Sequence, residues 1–264
     1  MDGIVGIYGA GDRELVNKAF LATGACQHRG KASTGLAVAN RNGIHIHKGL
    51  GRIADVIDYS IISIFQGLEP VAAIGNIGYT KRKIAEKNNA EPLEIHPKSH
   101  SSLQVVLTMD GYLIKTDDLL AELEMDYSLQ TENKTEIVGA LLHKYLLQEG
   151  ITFEAGRKLV DKLHGRATFA LSALVHDGKE PYLITLNDDK AFEPFCYATI
   201  DGTFVASSES CSPRRLNGSP EKEYDGAEMT ICSQKGMETK RLREEPMMPD
   251  IFQGVYFGLS LIHI

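Results

Sequence analysis

Three observations predict an α+β fold of stacked layers. The chain opens directly on an apolar strand punctuated by glycines, Gly3-Ile4-Val5-Gly6-Ile7-Tyr8-Gly9. Its middle carries helical periodicity, with Ile137, Val138, Leu141, Leu142, Tyr145 and Leu146 forming one apolar stripe. From Ala167 onward the pattern returns to short strands at 167–175, 181–186, 195–200, 203–207, 227–232 and 236–240. Strands, then helices, then strands again are satisfied by sheets whose outer faces are covered by helices.

Each element follows from local residue chemistry. After the opening strand, Gly11-Asp12 supplies a turn and a helix cap, and Leu15 to Ala25 follow with helical spacing, predicting about four turns. Gln27-His28-Arg29-Gly30 reads as a polar loop. Gly35 to Ala39 is a strand, and Asn42-Gly43 before Ile44-His45-Ile46-His47 is a hairpin signal suited to a type I′ turn. His45 and His47 share one strand face. They could bind a metal or simply face solvent, and no third ligand is placed by the sequence.

Residues 52–66 read as one helix leading to the strand Val71 to Gly75. The polar stretch from Thr80 to Ser102, with Lys81-Arg82-Lys83 near its start, reads as a long solvated loop or an anion-binding segment. Leu103 to Met109 forms a strand that turns at Asp110-Gly111 into Tyr112-Leu113-Ile114. Thr116 caps a helix through Leu123, and helices follow over Lys134 to Leu147 and Phe153 to Leu163. Asp177-Gly178 and Asp201-Gly202 suit tight hairpins. The apolar tail, residues 249–264, cannot sit in water and must pack on its own domain or on a partner.

Composition narrows the function classes. A length of 264 residues suits one large domain or two small ones, and 43% hydrophobic with 24% charged residues is ordinary for a globular chain. A formal charge of −7 argues against binding nucleic acid or an anionic membrane. No apolar run approaches the ~20 residues of a membrane span, and the N-terminus lacks signal-peptide character. Cys26, Cys196, Cys211 and Cys232 are scattered, which fits reduced thiols in a cytoplasmic protein. With no tryptophan, a site built on indole stacking is excluded. No cofactor or metal is called for.

Several stretches together resemble one family. GIVGIYG at the start, the QHRG loop, GIHIHKGLGRIADV at 43–56 and ASSESC at 206–211 are similar to the glutaminase domain of amidophosphoribosyltransferase. That domain is a class II, N-terminal-nucleophile glutamine amidotransferase, and PDIFQGVYF in the tail resembles the enzyme's interdomain junction. The resemblance implies a four-layer αββα sandwich of two antiparallel sheets. It also implies a glutaminase-like domain over 1–248, a junction-like tail over 249–264, and no phosphoribosyltransferase domain.

The resemblance assigns chemistry to positions that this sequence fills differently. In the family the mature chain begins with a cysteine whose thiolate attacks the glutamine amide while its own α-amine acts as base. Asp2 stands at that position behind Met1, which is expected to be retained before so large a residue. The glutamine-carboxylate arginine of a G-x-x-R-Y-S/T pattern is matched by Gly78, and the oxyanion asparagine of H-N-G-N by Asp110, followed by Gly111. The aspartate of S-D-T-E that holds the substrate's ammonium is matched by Lys134. Loss of one oxyanion donor alone typically costs about 3 kcal/mol in barrier. Glu193 lies at an arginine position of an R-D-P-x-G-x-R-P pattern.

Catalysis of glutamine hydrolysis is therefore not expected. The expectation is a binding, scaffolding or regulatory protein that forms a homo-oligomer or docks a protein partner through 249–264. Two alternatives stay open. Asp2, Gly78, Asp110, Gly111 and Lys134 could form an altered pocket for a small molecule or metal, or Asp2, Asp110 and Lys134 a structural ion-pair cluster. Cys26, beside Gln27-His28, could be a different nucleophile, although its place at the end of an apolar helix fits core packing better.

Overall fold

A computed structural model describes residues 2–79 and 87–244. The Lys81-Arg82-Lys83 cluster, Met1 and the 249–264 tail lie outside the described residues. The strands are β1 (Gly3–Tyr8), β2 (Ser33–Asn40), β3 (Gly43–Leu50), β4 (Ala72–Gly78), β5 (Leu93–Glu94), β6 (Gln104–Leu113) and β7 (Ala167–His176). They continue with β8 (Pro181–Asn187), β9 (Cys196–Ile200), β10 (Thr203–Ser207), β11 (Lys222–Glu223), β12 (Glu228–Ser233) and β13 (Gly236–Arg241). The helices are α1 (Leu15–Ala25), α2 (Ile53–Val56), α3 (Tyr59–Gly67), α4 (Asp117–Leu123), α5 (Lys134–Glu149), α6 (Phe153–Leu163) and α7 (Cys211–Arg215).

Among the described residues the strands form two antiparallel sheets. One has the order β11-β9-β10-β1-β4-β2-β3, the other β13-β12-β8-β7-β6-β5. The alternation of each strand distributes its side chains to two different cores. In β1, Val5 and Ile7 pack with Leu15, Val16 and Ala19 of α1, whereas Ile4 and Tyr8 face the second sheet. Both faces of β1 and β4 are buried, which accounts for apolar residues on both faces, with Asn76 the one buried polar side chain in β4. A third cluster joins the outer face of the second sheet to α4, α5 and α6. The result is the four-layer αββα sandwich expected above.

Several local expectations are corrected. The first helix has 11 residues, nearer three turns than four. The first hairpin pairs Asn40 with Gly43, so Arg41-Asn42 form its tip and only Gly43 takes a positive φ, +137°. That is not a type I′ turn. The 52–66 helix is two: the chain leaves helical geometry at Ile57, and the Asp58 carboxylate then caps α3 by accepting from the Ile61 amide. Thr116 precedes α4 without a side-chain capping bond. The 80–102 segment is not simply solvated, since Ala90, Glu91, Leu93 and Ile95 are buried.

The most consequential correction concerns Asp110-Gly111, read as a turn. β6 runs straight through both residues, pairing Asp110 with Ala170 and Gly111 with Phe169. Gly111 permits this because it takes φ +144° and passes the neighbouring strand so closely that a Cβ would stand 2.0 Å from the Thr168 carbonyl oxygen. Gly111→Ala is predicted to cost about 3 kcal/mol or more in urea unfolding, through strain and displacement of β6 from β7. The control Gly67→Ala, in a helix with open space at its Cβ position, is predicted to be neutral or stabilising. Equal stability of both variants would contradict this account.

Candidate functional site

The site forms where the start of β1 meets the end of β4 and the middle of β6. The register of β1 on β4, Gly3 with Ile77 and Ile4 with Asn76, brings Asp2 to the Gly78–Tyr79 end of β4. There the Tyr79 amide donates to Asp2 Oδ1 at 2.8 Å, and the Asp2 amide donates to Asp110 Oδ1 at 2.7 Å. The turn after α1, Gln27–Arg29, closes the arrangement from the helical side. Gly30 allows it to pack against β4, since a Cβ there would lie 2.4 Å from the Gly78 carbonyl oxygen. Arg29 is thereby turned inward. Its Nε donates to the Asp2 carbonyl at 2.7 Å, its Nη1 to Glu209 Oε1 at 2.7 Å and its Nη2 to Asp110 Oδ2 at 2.5 Å. The side chains of Arg29 and Asp110 are fully buried.

The electrostatics follow from that crowding. Burial opposes charge on the Arg29 guanidinium, but Asp110 and Glu209 hold its pKa above the ordinary value. Burial likewise opposes the Glu209 carboxylate, yet His28 and Arg29 keep its pKa below the usual range. Asp2 is shifted the other way. Burial first, then the negative charges of Glu91 and Asp110, push its pKa up to about 7.

Glu91 is a functional-looking residue that sequence reading missed. It sits 3% exposed between the sheets and α5. Thr108 Oγ1 and the Met109 amide donate to Oε2 at 2.7 Å each, and Asn76 Nδ2 reaches the same oxygen at 3.4 Å. Asn133 Nδ2 at 3.0 Å and Thr135 Oγ1 at 2.6 Å serve Oε1. Burial still leaves its pKa raised despite these donors. The only sequence signal was a carboxylate directly before Pro92 inside a stretch read as loop.

The candidate residues are thus partly brought together. Asp2, Gly78, Asp110 and Gly111 converge, but Lys134 points elsewhere. Its Nζ donates to the Leu113 carbonyl at 2.7 Å and lies 5.5 Å from the centre of the Tyr112 ring. The cation facing the two aspartates is Arg29, so the ion-pair cluster exists with a different partner from the one expected. Glu193 is buried and accepts from Thr168 Oγ1 at 3.2 Å. Cys26 is fully buried against the Ser207 and Ser212 hydroxyls, and burial raises its thiol pKa, the opposite of an activated nucleophile. Cys211 is partly exposed, with its pKa pushed up to about 12 chiefly by burial. His45 is exposed, and among the described residues no group of three or more His, Cys, Asp and Glu side chains is placed to hold a metal.

The raised pKa of Asp2 fixes a pH dependence. A carboxyl that ionises near 3.8 when unfolded and near 7 when folded keeps its proton longer in the native state. Stability from this group is therefore greatest at low pH and is lost as pH rises from about 4 to about 7. Asp2→Asn preserves an acceptor for Tyr79 and removes the charge. Partial exposure limits the effect, so the variant is predicted to gain about 1–2 kcal/mol over the parent at pH 8 and nothing at pH 4, read by urea unfolding. A parent equally stable at both values, with no gain in the variant, would contradict the assignment.

Comparison with known proteins agrees with this architecture. Residues 83–212 match the family model of the glutamine amidotransferase domain. The amidophosphoribosyltransferase of Archaeoglobus fulgidus is 28% identical over 261 residues, covering 98% of this chain and 54% of the relative. That of Methanocaldococcus jannaschii is 27% identical over 230 residues, covering 87% and 46%. This chain therefore spans about half the length of the relatives it matches. The solved glutamine phosphoribosylpyrophosphate amidotransferase of B. subtilis, complexed with ADP and GMP, superposes with a TM-score of 0.74 at 22% identity, over 92% of this chain and 50% of that one. A structure of the allosteric regulatory enzyme of purine biosynthesis gives 0.76 at 22% identity with the same coverage. Among the described residues no helix is long and apolar enough to cross a membrane. Residues 83–212 thus carry a glutamine amidotransferase domain match, in a chain that is similar over nearly its whole length to amidophosphoribosyltransferases and shares the fold of their glutaminase half.

Proposed function

We propose that this chain is a non-catalytic glutaminase-like domain that binds, supports or regulates another component, in the neighbourhood of purine or glutamine metabolism in the cytoplasm. One observation carries the reading. Where family resemblance calls for a nucleophilic cysteine and an oxyanion donor, the chain has Asp2 and Asp110, and both are engaged with Arg29.

Physical chemistry supports it. A carboxylate is a poor nucleophile toward an amide, and the Asp110 carboxylate can only accept hydrogen bonds where a developing oxyanion needs a donor. With Gly78 at the arginine position, no guanidinium projects from β4 to hold a substrate carboxylate. Lys134, at the position of the family's aspartate, supplies no carboxylate to hold an α-ammonium group. The buried Cys26 thiol offers no replacement nucleophile. In this reading residues 1–248 are the glutaminase-like unit, and 249–264 are the apolar contact segment for a second copy or another protein.

Two measurements test the proposal. Purified chain incubated with glutamine is predicted to release no ammonia or glutamate above a buffer blank, and robust release would overturn it. Sedimentation of the full chain is predicted to show a self-assembly, or a stoichiometric complex when isolated from its native cells, that is lost on truncation after residue 248. A full chain that is monomeric from both sources would refute the docking role.

A further inference from the structure

The corner where α4 leads towards α5 is closed by a buried hydrogen-bond chain that uses both nitrogens of one imidazole. His143, on α5, has no solvent exposure. Its Nε2 lies 3.2 Å from the carbonyl oxygen of Leu103, just before β6, and its Nδ1 lies 2.9 Å from the hydroxyl of Tyr127, which follows α4. The Tyr127 ring meets the imidazole edge-on, with 5.6 Å between ring centres and 88° between planes. Tyr127 is itself buried, and its backbone is bridged to Pro97. Beside that bridge the Lys98 amide donates to the Asp126 carbonyl at 2.8 Å and the Ser128 amide to the His96 carbonyl at 2.9 Å. One imidazole therefore joins α5, the segment after α4 and the segment before β6.

These partners fix where the proton sits. A carbonyl oxygen can only accept, so Nε2 carries the hydrogen and Nδ1 is the acceptor. The Tyr127 hydroxyl must then donate, and it has a proton to give, because burial and then Asp126 push its pKa up to about 12. A second proton on the ring would go to Nδ1. It could stay only if the hydroxyl turned round to accept, leaving its own hydrogen unmatched in the core. The charged and titratable groups on the surrounding elements offer no relief. Glu122 of α4 pairs with Lys144 of α5 at 2.8 Å and Lys162 of α6 at 2.5 Å, and Lys98 Nζ donates to the Glu124 carbonyl at 2.6 Å. Glu94, His96, Glu124 and Asp126 are exposed, and His176 of β7 is engaged with the Arg41 carbonyl and the Gly178 amide. Among the described residues none of these side chains hydrogen-bonds the imidazole. Burial lowers the His143 pKa, and the bond to the Leu103 carbonyl offsets only part of that.

We propose that the Tyr127–His143–Leu103 chain is an acid-sensitive latch, in which protonation of His143 releases residues 95–103 and 124–128 from α5. Opening would uncover the core that Leu119, Leu123 and Tyr127 close over the outer face of the second sheet. The imidazole that keeps the latch shut is neutral, whereas a histidine in an unfolded chain ionises near 6.5. The closed state is thus fully favoured above about pH 6.5 and loses stability as pH falls below it. The dependence of Asp2 runs in the opposite direction, so the two groups are separable in one pH series. No part of the latch relies on the proposed function, and either can fail without the other.

The test combines histidine NMR with hydrogen exchange on the full chain. At pH 7.5 the ring nitrogens of His143 are expected to report the neutral Nε2–H form. The opening equilibrium at the Lys98 and Ser128 amides, corrected for intrinsic exchange, is expected to rise by about tenfold per pH unit below pH 6.5. His143→Gln, whose side chain takes up no proton, is expected to show no such rise, whatever its absolute stability. The two measurements on the parent decide the matter should that variant fold poorly. An Nδ1–H form in the parent, opening that is independent of pH between 7.5 and 5, or a rise that persists in His143→Gln would overturn the proposal.

Discussion

Arg29 holds together the part of this molecule where its two sheets, its first helix and its chain start meet. A guanidinium with no solvent exposure is stable only if its donors are met, and three of its nitrogens are directed at Asp2, Asp110 and Glu209. Each partner lies on a different element: the residue before β1, the middle of β6 and the segment after β10. Removing the charges from water has a large cost, and the attraction roughly offsets it. What the arrangement secures is specificity of position. The β1 start cannot move away from β6 without stranding a buried charge.

The same constraint limits what the site can do. A reaction centre for amide hydrolysis needs a nucleophile free to attack and donors free to receive charge. Here the donors of Arg29 are spent on the Asp2 carbonyl and on the Asp110 and Glu209 carboxylates, and the Asp2 amide donates to Asp110. The surplus is negative charge, expressed in the elevated pKa of Asp2, and unused acceptor capacity at Asn76. The neighbouring Glu91 network is saturated and acts as a rigid floor, tying α5 to β6 and β4.

The layered fold was legible because it rests on periodicity: β1, β4, α5 and α6 are long or strongly patterned, and the comparisons agree with the resemblance that named their arrangement. The site was legible only in part. Asp2, Gly78, Asp110 and Gly111 could be picked out by motif, but no local pattern says that Arg29, in a polar tetrapeptide, would swing inward, since that depends on the close approach of Gly30 to β4. Lys134 misled for the complementary reason. A lysine at a helix start can reach several acceptors, and the Leu113 carbonyl and Tyr112 ring lie within its reach. Glu91 was hidden because burial of a carboxylate in an apparently polar loop is decided by tertiary donors from three distant elements. Asp110-Gly111 looked like a turn because a glycine with positive φ inside a strand has the same sequence signature.

The most direct test of this account is a double-mutant cycle between Arg29 and Asp110, using Arg29→Met and Asp110→Leu and urea unfolding. Each single change strands a buried charge and is predicted to cost about 3–5 kcal/mol, whereas the double variant, with both charges gone, is predicted to recover at least ~2 kcal/mol of the summed loss. Additive losses, within about 0.5 kcal/mol, would mean that the two side chains do not act on each other and that the chain start is not held by this ion pair.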